Sequence, residues 1–138
     1  MLADPRLVGK ARLVAIHHPP AGKRARNRIR GLKDHAAFAD VLAEVGAEWV
    51  VHGHEHRDMT ELLPGPDGPI TVRGIASGTY FHNKPDKTAR YRIYDIEGST
   101  IRDVGVRVWD PATHSFGPPQ ALQLSETAAQ PGTPKPLA

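Results

Sequence analysis

Two short apolar runs in the first half of the chain have the length and composition of buried strands. The first is "ARLVAI" (residues 11–16), which stops at "HHPP" because proline cannot continue the hydrogen-bonded ladder. The second is "AEWVVH" (residues 47–52), and Gly53 after it would permit a sharp exit from the strand. The pattern therefore predicts two strands with histidines at their carboxyl ends.

The segment between these two runs has the spacing of an amphipathic helix. Four apolar residues of "DHAAFADVLAEVG" recur at i, i+3, i+4 and i+7: Phe38, Val41, Leu42 and Val45. Asp34 is a suitable N-cap, and Gly46 is a suitable stop. Strand, helix and strand in this order predict a βαβ unit with parallel neighbouring strands. Ligands of such sheets collect at the carboxyl ends of the strands, where both histidine clusters lie.

The pattern changes after residue 58. Four strand-like runs follow, separated by turn signals: "MTELL", "PITVRGIASG", "ARYRIYDIEG" and "STIRDVGVRVWD". Their spacing is typical of antiparallel strands. From Gly117 onward the chain is rich in Pro, Gly, Ser and Gln without apolar periodicity. We therefore expect an α/β unit over residues 1–116 and a disordered tail over residues 117–138.

Composition narrows the possible chemistry. The chain has 138 residues and no cysteine, which excludes thiolate metal sites and a cysteine nucleophile and favours a reducing cytoplasm. No apolar run approaches the roughly 18 residues that cross a bilayer, so no membrane partner is expected. The net charge is only +3, but "KRARNRIRGLK" (residues 23–33) holds six basic residues and no acid. This basic segment is either a solvated loop or an electropositive rim that attracts an anionic substrate.

The stretch "VVHGHEHRD" places three histidines at alternate positions. Residues i and i+2 of an extended segment point the same way, so His54 and His56 are expected to face one cavity. His17 ends the neighbouring predicted strand, within reach of them. Neutral imidazole suits manganese, iron, zinc, nickel and cobalt. A divalent metal site is therefore one interpretation, and surface or buried structural histidines are the other.

"HHPP" after a strand, then a helix, a second strand and "GHEH", resembles the calcineurin-like metallophosphoesterases over roughly residues 11–110. The motifs of that family run Asp-x-His, Gly-Asp, Gly-Asn-His-(Glu/Asp), a lone His often followed closely by Pro, and Gly-His-x-His. This chain matches the last two, in order. The resemblance implies a metallophosphoesterase-type sandwich with two divalent metals (Mn, Fe, Zn, Ni or Co) that hydrolyses a phosphate ester.

The resemblance also implies roles for individual side chains. His17 matches the lone-His ligand, His54 would share its metal, and His56 would bind the second metal.

Weaker roles follow for the neighbours of these histidines. His18 is expected to line the pocket, and Arg24 and Arg26 to attract the substrate. Arg57 is expected to form a salt bridge or to lie near the substrate, whereas Glu55 should point away and not bind metal.

The other family motifs are absent, because the chain contains no Asp-x-His, no Gly-Asp and no Gly-Asn-His. The residue that bridges the two metals in the family is therefore lacking. Neutral histidines cannot offset the repulsion between two divalent cations, so we expect this chain alone to supply only part of the dinuclear site. We also expect a truncated chain, whose sheet exposes an apolar edge through which it can self-associate.

Three functions stay open at this point. The first is a phosphoric ester hydrolase, a phosphatase or phosphodiesterase, of which this chain supplies part of the metal centre. The second is a catalytically inactive fragment that binds a metal or a partner. The third is a nucleic-acid-binding module built on the basic segment, which is weakly supported because few aromatic residues flank it. Nucleic acid is otherwise expected only as a substrate.

Overall fold

The computed structural model describes residues 1–82 and 84–120. Seven strands are present in this part of the chain: β1 (Leu13–Ile16), β2 (Trp49–His52), β3 (Met59–Leu63), β4 (Ile70–Gly74), β5 (Arg90–Glu97), β6 (Thr100–Asp110) and β7 (Ser115–Phe116). Two α-helices accompany them: α1 (Gly22–Ala25) and α2 (His35–Val45). Short 3-10 turns occupy Pro5–Leu7 and Pro85–Lys87. The structure is thus mixed α/β, with most of its regular residues in two sheets.

The first sheet has the strand order β1-β2-β4-β3. β1 and β2 are parallel neighbours, with Ile16 opposite His52, which confirms the predicted βαβ unit. β4 is also parallel to β2, a pairing that the sequence pattern did not predict. The antiparallel pairing predicted for the runs after residue 58 is confirmed for β3 with β4. β4 buries Ile70 and Val72 whereas β3 exposes Leu62, in keeping with the interior position of β4 beside β2.

Helix α2 packs on this sheet through a narrower face than the apolar spacing predicts. Leu42 is fully buried, and Phe38 and Ala39 pack against the same core. Val41, predicted to lie on the buried face, has 52% of its surface exposed. The helix ends at Gly46, as predicted, where φ is +73°.

Arg12, which directly precedes β1, contacts both Glu48 and the end of α2. Nη2 of Arg12 lies 2.9 Å from Oε1 of Glu48, and Nη1 of Arg12 donates to the carbonyl of Val45 at 2.7 Å. Burial alone would raise the pKa of Glu48, but the hydrogen bonds and charge of Arg12 outweigh it and lower that pKa. The hydrogen bond of Arg12 to Val45 therefore holds the last turn of α2 beside the start of β1, and Glu48 fixes the arginine in place.

The second sheet is antiparallel, in the order β5-β6-β7. The chain still pairs with β6 beyond β7, because Gly117 N–H donates to Val108 at 2.9 Å and Gln120 N–H to Val106 at 2.8 Å. The first four residues of the predicted tail, 117–120, thus continue the sheet. The rest of the predicted tail, residues 121–138, lies outside the described residues.

Within the described residues, β1 and β3 form the two edges of the four-stranded sheet. Leu13 on β1 has 40% of its surface exposed, consistent with the apolar edge that the sequence predicts. Self-association through that edge stays a prediction. Among the described helices, none combines the length and apolar character needed to cross a bilayer.

Candidate metal centre

Parallel pairing brings the ends of β1 and β2 together. Because Ile16 lies opposite His52, the residues that follow each strand leave the sheet at the same edge. The carbonyl of His17 accepts a hydrogen bond from Gly53 N–H at 3.2 Å. The histidines after β1 therefore meet the histidine turn after β2, which comprises residues 54–56.

Three imidazoles converge at this edge. Nδ1 of His54 lies 3.1 Å from Nε2 of His17, and the ring centroids of His18 and His54 are 4.4 Å apart. One ring nitrogen from each of His17, His18 and His54 lies within 4.8 Å of the others. Metal–nitrogen bonds of about 2.0–2.1 Å place tetrahedral ligand atoms roughly 3.3 Å apart, close to the His17–His54 separation. The His17–His54 separation therefore matches coordination of one divalent cation, with a nitrogen of His18 nearby, and we call these residues the three-histidine cluster.

The histidine turn is not extended, as the alternation argument assumed. His54 has φ +67° and His56 has φ +49°, both left-handed conformations that are uncommon for residues other than glycine. As a result His56 does not join the cluster, and its ring lies 5.2 Å from the ring of Tyr80. Its assignment as a ligand stays a prediction. The two histidines make the sharp turn, and Gly53 itself has no left-handed φ.

His18 enters the cluster as an equal member, although the sequence argument placed it only at the pocket wall. Both histidines of "HHPP" reach His54, with centroid separations of 5.0 Å for His17 and 4.4 Å for His18. The signal in the sequence was the adjacent His17–His18 pair at the end of a predicted strand. Because the chain is no longer extended there, the side chains of neighbouring residues can point to the same side.

Burial favours the neutral form of the histidines on the β2 side. Desolvation is the main cause that lowers the pKa of His54, and the nearby imidazoles of His18 and His17 add to it. The charge of Glu55 acts in the opposite direction. The pKa of His52, which is buried at the strand end, is also lowered mainly by desolvation. Neutral imidazole is the form that binds metal.

The charged residues near the three-histidine cluster differ in their ion-pair partners. Glu55 lies outside the three-histidine cluster, and its carboxylate pairs with Arg24, Nη1 to Oε2, at 3.2 Å. Arg26 is exposed and lines a depression of about 340 Å³ with Arg28 and Lys33. Within the described ranges Arg57 forms no ion pair, and its Nε is buried without a hydrogen-bond partner. The salt bridge expected of Arg57 is therefore not seen there.

Carboxylates are scarce at the cluster. Asp58 lies close in sequence but pairs with Arg90 at 2.8 Å and Arg92 at 3.2 Å. Glu61 faces Gly22, where a Cβ would meet its carboxylate. Among residues 1–82 and 84–120, the group with metal-ligand spacing contains only histidines.

Comparisons with known proteins identify no relative, since no family model, curated protein or solved structure matches the chain. Its function has to be inferred from the histidine geometry, the charge distribution and the two sequence motifs.

Proposed function

We propose that this chain supplies part of the metal centre of a phosphoric ester hydrolase of the metallophosphoesterase type. The observation that carries the proposal is the convergence of His17, His18 and His54 at the carboxyl ends of β1 and β2. In α/β proteins, ligands bind at the carboxyl ends of the parallel strands, which is where these histidines lie. The same three histidines belong to the "HHPP" and "GHEH" motifs that resemble the family.

The donor set suits manganese, iron, zinc, nickel or cobalt, because all three ligands are imidazole nitrogens. A divalent cation held here would polarise a phosphoryl oxygen and supply a nucleophilic water. The role of His17 and His54 is to hold the cation at a defined point of the sheet edge. The cluster is at the protein surface, with His17 exposed, so a substrate can reach it from solvent.

The basic segment suits an anionic substrate. Arg26 and Arg28 are exposed, and within the described part of the chain neither has an acidic partner. Guanidinium groups match the geometry of phosphate oxygens, and the positive field of the segment attracts anions. We infer that these side chains draw a phosphate ester towards the three-histidine cluster.

One observation favours a second candidate function, a metal-binding module without hydrolysis. Within the described part of the chain, the three-histidine cluster contains no carboxylate ligand. Two divalent cations about 3.5–4 Å apart repel strongly, and neutral ligands do not offset that repulsion. In this alternative the chain binds one cation and lacks the second that the family mechanism uses.

Hydrolysis of p-nitrophenyl phosphate and bis-p-nitrophenyl phosphate with Mn²⁺ separates the two candidates. The test variant is His54→Gly, because glycine tolerates the left-handed backbone at this position. His114→Gly is the matched control, since His114 also has a left-handed φ, of +50°, and lies in the second sheet region. Manganese-dependent hydrolysis that His54→Gly abolishes and His114→Gly retains supports the hydrolase. Metal binding without any hydrolysis, by this chain and by any longer product of the same reading frame, supports the second candidate.

A further inference from the structure

The contact between Arg24 and Glu55 joins the basic segment to the histidine turn. Nη1 of Arg24, in α1, lies 3.2 Å from Oε2 of Glu55, which stands between His54 and His56. The side chain of Glu55 is only 3% exposed. Its Oε1 is buried and has no hydrogen-bond partner in the described part of the chain. The charge of a buried carboxylate is thus balanced by an arginine from another element.

The backbone around Glu55 needs such support. His54 and His56, on either side of it, both adopt left-handed conformations. Conformations of this kind persist in non-glycine residues only where the surrounding structure holds them. Within the turn, Glu55 N–H donates to the carbonyl of Gly53 at 2.8 Å, which is a local bond only. Arg24 provides a long-range contact, because it is 31 positions away in the sequence.

We propose that Arg24 is a positioning residue: its ion pair with Glu55 holds the histidine turn in place and keeps His54 beside His17. Its effect on metal affinity rests on the proposed function, whereas its effect on the position of His54 does not. Arg24 then acts through Glu55 and not by binding the substrate. This role differs from the substrate-binding role that the basic segment alone suggests.

The two partners differ in exposure, so their removal has unequal effects. Arg24→Met leaves a buried carboxylate without its counter-ion, which favours movement of the carboxylate to water together with the turn. Glu55→Gln leaves an arginine that is 38% exposed and reaches water easily. In the double variant Arg24→Met with Glu55→Gln, no buried charge remains. We therefore expect Arg24→Met to displace His54 more than either of the other two variants.

Two measurements test the inference. One is the nuclear Overhauser effect between the imidazole protons of His17 and His54, whose ring centroids are 5.0 Å apart. The other is the affinity for Co²⁺ by titration. Arg24→Met should lose the cross-ring effect and bind Co²⁺ about 10–100-fold more weakly, as loss of an outer-shell partner does. Arg24→Lys and the double variant should largely restore both.

Arg26→Met is the matched control, because Arg26 is exposed in the same segment. An unchanged cross-ring effect in Arg24→Met, or an equal loss in Arg26→Met, overturns the inference. If Arg24→Met does not fold, a double variant that folds but lacks the cross-ring effect also overturns it. Wild-type protein that shows the effect but binds no Co²⁺ refutes the metal site, while the cross-ring effect still decides the role of Arg24.

Discussion

Nδ1 of His54 lies 3.1 Å from Nε2 of His17, although 37 positions separate the two residues in the sequence. Parallel pairing of β1 with β2 produces this proximity, because it aligns the carboxyl ends of two strands that α2 connects. Two neutral nitrogens this close need either a shared proton or a shared cation. The pair is therefore the natural starting point for tests of the site.

The ligand set is the first prediction. The structure groups His18 with His17 and His54, and it places His56 against Tyr80. We expect His18→Ala to lower the affinity for the first equivalent of Zn²⁺. The loss should exceed the roughly 10–100-fold that removal of an outer-shell partner costs. His56→Gly should leave the affinity nearly unchanged. Isothermal titration measures both, and the reverse order of effects would favour the ligand set implied by the family resemblance.

The orientation of α2 is the second prediction. Leu42 is fully buried, whereas its neighbour Val41 is 52% exposed. Leu42→Ala should lower the free energy of unfolding by about 2–5 kcal/mol, because it removes buried methyl groups and leaves a cavity. Val41→Ala should change it by no more than about 0.5 kcal/mol. Urea denaturation compares the two, and equal losses would mean that the helix packs through the face that the sequence spacing suggested.

Packing beneath the histidine turn is the third prediction. A Cβ on Gly74 would lie 2.7 Å from Cε1 of the buried His52 and 3.0 Å from Cβ of Met59. Gly74→Ala should therefore destabilise the fold by about 1–3 kcal/mol through overpacking. Gly53→Ala is the control, because a Cβ there meets no atom within 4 Å. Thermal unfolding should separate the two variants, and a stable Gly74→Ala protein would show that His52 is free to move aside.

The pH dependence of the Arg12–Glu48 ion pair is the fourth prediction. Burial raises the pKa of Glu48, but hydrogen bonds and the charge of Arg12 lower it further than burial raises it, so the folded value lies below the unfolded one. The stabilisation is then fully present above the ordinary Glu value of about 4.3, and it is lost as the pH falls from there through the folded value. At neutral pH, Glu48→Gln should lower the free energy of unfolding by about 1–2 kcal/mol.

The difference between wild type and Glu48→Gln should shrink as the pH falls below about 4.3. Denaturant titrations at several pH values measure it. Glu97→Gln is the control, because Glu97 lies 3.7 Å from Arg102 and its side chain is 80% exposed. That variant should differ little from wild type at any pH. A Glu48→Gln deficit that persists undiminished in acid would assign its effect to packing instead of charge.

Local spacing was sufficient to predict the longer regular elements and the convergence of two histidine segments at one edge of the sheet. The apolar runs, the helical spacing before Gly46 and the turn signals predicted α2 and the six longer strands, because these patterns reflect backbone geometry. The βαβ order predicted that His17 and His54 end neighbouring strands, because the handedness and pairing of such units are strongly constrained.

Tertiary structure decided what depends on contacts between distant residues. β4, with its buried Ile70 and Val72, takes the interior position beside β2 and lies parallel to it, and adjacent turn residues do not encode that choice. Likewise, the exclusion of His56 accompanies left-handed residues in the histidine turn, and the inclusion of His18 follows from the end of the extended chain after β1. The contact between Glu55 and Arg24 is also long-range. The spacing of residues within one segment does not reveal which residue of another element neutralises a buried charge.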